Sequence, residues 1–540
     1  MRRRLVAASA IAVLVTAALL TGSEARSSAA AVRTSQRTLP AGLAVAIHAR
    51  LGAGRIRSSL APFPTINPWL GYSVAVSADR TTALVGAPLA HGGKGAAYVF
   101  HTADAGSWSS TGIPTATLTA KKGSFVTALS GIGVALSADG MTAFVGSPES
   151  FSGATIGAVS VFHAPAEDAW ASSPKPTAIL KATGYSEMGY SVAVSPDGTT
   201  LVAGAPRANG SAGEAEVFHV ASEGAWASTS TPSAVLSNAA QSSEDTYTGY
   251  AVAISGDGTT VLVSNDDGGS AYLYHASAAD SWASSSTPTA ILTDATDSAD
   301  DDFGRFLALS ADGTVALVSA PPNTSHSNGR VDVFHSSTAA AWATTSTPTA
   351  TLTKAGAPGD DFFGSSVALS ADGTVALVGA GGVNKRHGAA YIYRASGEGA
   401  WTSSSAPDVT LTHAAGRRND LLGLGIALSP DGATALVGAV GVDHMTGAAD
   451  VFHAADASSW ATTSTPNAVL TVKALAACVV PKLKKRPLEY AKYELALARC
   501  GLGKVTKVDS KMKKGRVVSQ SKRPGRHLAI GAKINVKIAK

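Results

Sequence analysis

One phrase of fourteen residues, written seven times, constrains this chain more than any other feature. "VALSADGTVALVGA" at Val367–Ala380 returns as "LALSADGTVALVSA" at Leu307–Ala320, and looser copies place its aspartate at Asp79, Asp139, Asp197, Asp257, Asp312, Asp372 and Asp431. The period is 55–60 residues. A tryptophan keeps the same step, at Trp108, Trp170, Trp226, Trp282, Trp342, Trp401 and Trp460, and only Trp69 stands outside the series. A unit this short cannot bury its own apolar faces, so repetition must end in a stack of units.

Within residues 364–412 the runs "SSVALS", "TVALVGA", "GAAYIYR" and "DVTLT" are too short for helices and are separated by Gly, Asp, Ser and Pro, which predicts four strands per unit. The Asp-Gly between the first two supplies the positive φ and the side-chain acceptor of a tight hairpin. Arg80 replaces that Gly in the first copy. A left-handed Arg costs about 1–2 kcal/mol, so this loop is expected to differ. Closure removes the sheet edges that an open stack would expose. The expected fold is therefore mainly β: a seven-bladed β-propeller of four-stranded blades over residues 68–472, followed by a small α+β domain over 473–540. How the ring closes stays open, because residues 41–54 read either as a helix over the ring or as part of a closing strand; the whole segment 26–67 is expected to be partly helical.

Residues 1–25 read as an export signal: Arg2–Arg4, the apolar run Leu5–Leu20, and small residues around Glu24. Sixteen apolar residues are short for a bilayer span, so no stable membrane span is expected after cleavage. Charge then divides the remainder. From Lys473 onward nineteen Lys and Arg face three acids, a balance of +16 in a chain whose total is +5, which leaves −11 for residues 1–472. Two units of opposite field point to separate partners. The two cysteines, Cys478 and Cys500, both fall in the basic part and are expected to form one disulfide.

"DDFFGSSVALSADGTVALVGA" and "MGYSVAVSPDGTTLVAGAP" resemble FG-GAP repeats, through Phe303-Gly304 and Phe363-Gly364, the Gly-Tyr versions at Gly71, Gly189 and Gly249, and the Gly-Ala-Pro at Gly86 and Gly204. The resemblance implies a propeller like that of integrin α-subunits. It also brings an expectation of calcium, from which this chain departs: each hairpin keeps one Asp, whereas a calcium loop needs several converging carboxylates. The seven Asp are read as turn formers, and the only weak metal candidates are Asp300, Asp301 and Asp302 in "DATDSADDDFG", against the alternative of a solvated charged loop. No other cofactor is expected.

The tail, through "VVPKL", a helix opened by Pro487, "KKGRVVSQS" and "GAKINVKI", resembles a PASTA domain, a module associated with peptidoglycan fragments. Lys522-Arg523 ahead of Pro524-Gly525 departs from the family pattern. The wall-binding candidates are Lys484, Lys485, Arg486, Lys513, Lys514, Arg516, Lys522, Arg523 and Arg526. Their expected partner is peptidoglycan or an anionic wall polymer; nucleic acid is disfavoured, since no aromatic reading platform accompanies the charge.

On the propeller, the loops between second and third strands diverge while the hairpins are copied, so an unidentified protein or glycan ligand is placed on the divergent face. Six histidines recur after the third strand, at His101, His163, His219, His275, His335 and His453, with Arg394 in the remaining copy. Six equivalents argue against a catalytic base. They are expected to pack near the unit's Trp, with one shallow glycan pocket per blade as the sharper alternative. No G-x-S-x-G, H-E-x-x-H or P-loop motif is present. The expected function is an exported, non-enzymatic binding or adhesion protein, extracellular or wall-associated; the alternatives are a multivalent propeller lectin and a propeller hydrolase with its site on the divergent face.

Overall fold

The computed structural model describes residues 68–540 apart from 120–128, 149–150, 153–154, 241–245, 266–268, 296–301, 323–328, 357–360, 474–476, 499 and 530. The export signal and the 41–54 segment lie outside the described residues.

Seven sheets follow one another along the chain, each made of consecutive strands and antiparallel but for one parallel pair in the second, Tyr185–Met188 beside Thr155–His163. In the sixth the strands are Phe363–Leu369, Val375–Ala380, Ala389–Arg394 and Val409–Leu411, matching the four runs read from the sequence. The second sheet alone is enlarged, to six strands, by Phe151–Ser152 and Tyr185–Met188 beside its third strand Thr155–His163. The seven first strands touch their neighbours in a closed cycle, the seventh meeting the first. They surround the axis, and the sheets are the blades of a propeller.

The core lies between blades rather than within them. One cluster joins Val331, Val333 and Leu352 of blade 5 to Ala376, Val378 and Trp401 of blade 6; another joins Leu436, Val451 and Leu470 of blade 7 to Val85, Tyr98 and Trp108 of blade 1. Two glycines make this approach possible. A Cβ on Gly379, in the second strand of blade 6, would lie 2.0 Å from the carbonyl oxygen of Gly423 in blade 7, and Gly423 itself has φ +93. The Gly of the "FG" half of one unit thus abuts the Gly of the "GAP" half of the unit before.

Every junction is also stitched at its rim. The end of each fourth strand bridges the segment after Trp in the following blade, as Leu352 does Ser404 and Leu411 does Thr463. Leu470 of blade 7 bridges Thr111 of blade 1 in the same way, Leu70 bridges Gly447, and Arg80 Nη1 lies 3.1 Å from Asp431 Oδ2. The closing joint is thus made of side-by-side contacts between whole blades.

Beyond blade 7, helix Leu488–Leu497 packs Ala491 and Leu495 against Val517, Ile534 and Val536. Strand Lys533–Ala539 runs between Gly501–Val508, parallel to it, and Val517–Gln520, antiparallel. Cys478 and Cys500 form the expected disulfide across 22 residues. The strand Gly501–Val508 was not foreseen, because "GLGKVTKV" opens with glycines that read as a helix stop.

Candidate functional site

The two rims of the disc are built on different chemistry. On the hairpin rim Ser370 Oγ donates to Asp372 Oδ1 at 2.5 Å, the Thr374 N–H donates to the same oxygen at 3.1 Å, and the Val375 N–H donates to Ser370 Oγ at 2.9 Å. The same set recurs around Asp79, Asp139, Asp197, Asp257, Asp312 and Asp431. Partial burial alone would raise the Asp372 carboxyl, but the bonds from Ser370 and Thr374 outweigh it and hold the group below the ordinary carboxylate range. These aspartates are turn formers, as read.

Each repeating Trp is buried and donates its indole N–H to the turn, as Trp401 does to the Gly373 carbonyl at 2.9 Å and Trp108 to that of Arg80 at 2.9 Å. The indole faces are therefore core, and none of these seven rings is offered for stacking on a sugar. Five of the six recurring histidines bond a threonine on the adjacent strand, as His101 does Thr82 at 2.9 Å and His453 does Thr434 at 2.9 Å. Where Val315 and Val375 replace that Thr, the facing residues are His335 and Arg394. Arg80 overturns another expectation: its turn keeps the common geometry, with φ 70, and the ion pair to Asp431 gives the side chain a use at the closing joint.

The opposite rim changes from blade to blade. Its loops include tight left-handed turns, as at Asn384, Lys385 and Arg386 with φ 51, 61 and 67; strain of this kind gathers at functional surfaces. Two residues beyond the last leucine of the fourth strand lies one variable position, which in blades 4 to 7 reaches the third strand of the next blade. In that position stand Ala182, Asn238, Asp294, Lys354, His413 and Val472. Asp294 Oδ2 meets Arg330 Nη2 at 2.8 Å, and Arg330 Nε meets Asp332 at 3.1 Å. Lys354 Nζ lies 3.6 Å from Asp361 and over the Tyr391 ring. His413 Nδ1 lies 2.8 Å from Asp450 Oδ2, and this hydrogen bond pushes the imidazole pKa up. Val472 packs in one cluster with Tyr98. Burial lifts Asp332 to about 6, and burial with the nearby Glu214 lifts Glu216 to about 8. Sequence reading missed these pairs; the available signal was one variable column in an otherwise constant repeat.

Of the weak metal candidates, Asp300 and Asp301 lie outside the described residues. Asp302 is buried and bonded to Arg305 Nη1 at 2.8 Å, so its charge is already matched. No group of three metal-ligating side chains suited to an ion occurs among the described residues.

The basic candidates do come together. Lys485 N–H donates to the Val517 carbonyl and Val517 N–H to that of Arg486, while Arg516 Nη1 donates to the Lys485 carbonyl at 2.7 Å, which sets 484–486 beside 513–516. Gln520 Nε2 ties the Pro481 carbonyl, at 2.9 Å, to that of Lys522, at 3.0 Å, and Gly525 N–H donates to Val480, which brings the 522–526 turn to the same segment. Eight of the nine are exposed and Arg516 is half-buried. The ion pairs of this domain, Lys492–Glu489 and Lys540–Asp509, use none of them. Among the described residues, no helix is long and apolar enough to cross a membrane.

Residues 347–393 match the FG-GAP repeat and residues 479–540 the PASTA domain. The first match runs from the outer strand of blade 5 through the third strand of blade 6, one of the seven copies. Among solved structures, hydrazine synthase of Kuenenia stuttgartiensis aligns at 14% identity over 75% of this chain and 100% of its own, with a TM-score of 0.45. No curated protein matches the chain.

Proposed function

We propose that this is an exported, non-enzymatic binding protein whose C-terminal domain holds it to the cell wall while the varied rim of the propeller recognises a ligand. The FG-GAP repeat and the PASTA domain support the extracellular setting. The observation that carries the wall reading is that three segments bearing nine cationic side chains, eight of them exposed, lie side by side in the C-terminal domain, none engaged in an ion pair with a described carboxylate. Such a surface attracts anionic polymers over about a Debye length, roughly 10 Å at 0.1 M salt. Peptidoglycan and teichoic acid share that charge.

The test compares the full chain with a variant carrying Lys484→Glu, Lys513→Glu and Arg523→Glu, sedimented with purified walls before and after teichoic acid is stripped. Retention of the parent should fall steeply with added salt, and the variant should bind about tenfold or more weakly. Equal retention of the two proteins removes the wall role. Loss on stripping assigns the charge partner to teichoic acid, and retention assigns it to peptidoglycan. The multivalent lectin alternative loses its stacking element, because the Trp rings are buried.

A further inference from the structure

We propose that four exposed threonines on the outer edge of the disc, Thr231, Thr287, Thr347 and Thr465, are acceptors for O-linked glycosylation, each carrying a neutral hexose, a modification that rests on the exported setting proposed above. Each threonine stands just before the proline of a Ser-Thr-Pro turn, at the tip of the loop that follows the repeating Trp in blades 3, 4, 5 and 7. The fourth strand is outermost in these sheets, and the residue two places before the threonine bridges the fourth strand of the preceding blade, as Thr229 does Leu180 and Ser285 does Leu236. The tips therefore line the circumference, and every residue of these four loops is described.

Folding itself claims the hydroxyls that lead up to each tip. Two places after every Trp, a Ser or Thr accepts a backbone N–H from the fourth strand of the blade before, as Ser228 accepts that of Ile179 at 2.9 Å and Ser284 that of Val235 at 3.0 Å. One place further on, a second hydroxyl closes the turn in every blade: Ser285 Oγ donates to the Thr287 carbonyl at 2.8 Å and accepts the Thr287 N–H at 3.2 Å. These bonds engage the backbone of the tip threonine and leave its hydroxyl unused. The tip is also free to change, since Gly112-Ile113, Pro174-Lys175 and Ser405-Ala406 occupy it in blades 1, 2 and 6 with both bonds kept. A hydroxyl there is surplus to folding, yet four blades carry one in the same Ser-Thr-Pro frame.

Exposed Ser and Thr beside Pro in an exported chain are the composition on which O-linked sugars are placed. The proline keeps the threonine before it extended and the β-branch restricts χ1, so all four hydroxyls are presented alike. No Lys, Arg, Asp or Glu lies within two residues of any of the four, which makes each a neutral acceptor peptide. In the transfer, threonine Oγ1 forms a bond to the anomeric carbon of a lipid-linked glycosyl phosphate. The bond from that carbon to the phosphate oxygen breaks, the phosphate leaves with the electron pair, and the hydroxyl proton passes to a base of the transferase. Ser195 and Ser429 also precede a proline, but both are buried and donate to Asp197 and Asp431, so they are closed to the same reaction.

Intact-mass measurement and peptide mapping of the full chain, recovered from the walls and medium of its own host, test this. Whole hexose units should appear on the four tip peptides, and none on the tips of blades 1, 2 and 6 or on Ser195 and Ser429. Thr231→Val, Thr287→Val, Thr347→Val and Thr465→Val should each remove the sugar from one peptide. The fourfold variant should melt within about 1 °C of the enzymatically deglycosylated parent, because exposed substitutions of this kind leave the core untouched. An exported chain without hexose at these threonines, a phosphate in its place, or hexose that persists in all four variants overturns the proposal and leaves the exported setting standing. Recovery from the cytosol alone overturns the exported setting, and the sugar sites with it. The triple tail variant should carry the same hexoses whether walls retain it or not, so the sugar sites and the wall reading stand or fall separately.

Discussion

The hairpin rim and the crossover rim belong to the same seven units, yet one repeats a single hydrogen-bond set and the other never repeats a pair. Asp, Ser and Trp close every hairpin in one way. Across the disc, Asp294–Arg330, Lys354–Asp361 and His413–Asp450 each occur once. The uniform rim tells each unit how to fold, and the varied rim tells it which neighbour to accept. In a chain of near-identical blades the second instruction is needed, because apolar faces alone fit several orders.

Five measurements would break or sharpen that contrast. Trp401→Ala, which empties a site in the core between blades 5 and 6, should cost about 3–5 kcal/mol by urea unfolding. On the varied rim, Arg330→Met leaves Asp294 and Asp332 buried without their cation and should cost about 3 kcal/mol; a neutral outcome would make the junction pairs decorative.

The rims should also answer pH in opposite directions. The hairpin aspartates, held low, add stability that is present above the ordinary carboxylate range and is lost as pH falls through their folded values. Glu216, lifted to about 8 from 4.5, favours the protonated folded state, so its contribution is complete below about 4.5 and disappears as pH rises toward 8. A titration of melting temperature should therefore lose its alkaline slope, at most about 1.4 kcal/mol per pH unit, in Glu216→Gln.

Smaller still, Asp197→Ala, Asp257→Ala and Asp372→Ala should each cost about 1 kcal/mol, reduced by solvent exposure, and should agree with one another within about 0.5 kcal/mol. Unequal costs would deny that the hairpins are equivalent. Arg80→Gly should change stability least. It relieves about 1–2 kcal/mol of left-handed strain and gives up a half-exposed ion pair worth under about 1 kcal/mol, for a slight net gain in unfolding free energy.

Whatever the chain writes seven times could be read from it. Strand count, hairpin register, the turn role of Asp372 and the seven-blade total all came from the repeat, because each copy reports the same local constraint independently. The helix of the C-terminal domain was legible through Pro487, Ala491 and Leu495, and the disulfide through Cys478 and Cys500 being the only two cysteines. Contacts made once were not legible. Arg330 lies 36 residues beyond Asp294 with no intervening pattern, and nothing in "HAAGRRND" announces that His413 will meet Asp450. Arg80 misled for the same reason. Its strain is local and visible, whereas Asp431 is brought to it only by closure of the ring.

Because each blade is made of consecutive strands and no strand crosses the closing joint, the disc is a split washer rather than a welded hoop. Its cut lies between Leu70, Arg80 and Thr111 on one side and Gly447, Asp431 and Leu470 on the other. The chain enters the disc beside this cut and leaves it from the same place. Tension applied through the two ends would therefore bear on that seam, and what resists it is the apolar core that Leu436, Val451 and Leu470 share with Val85, Tyr98 and Trp108.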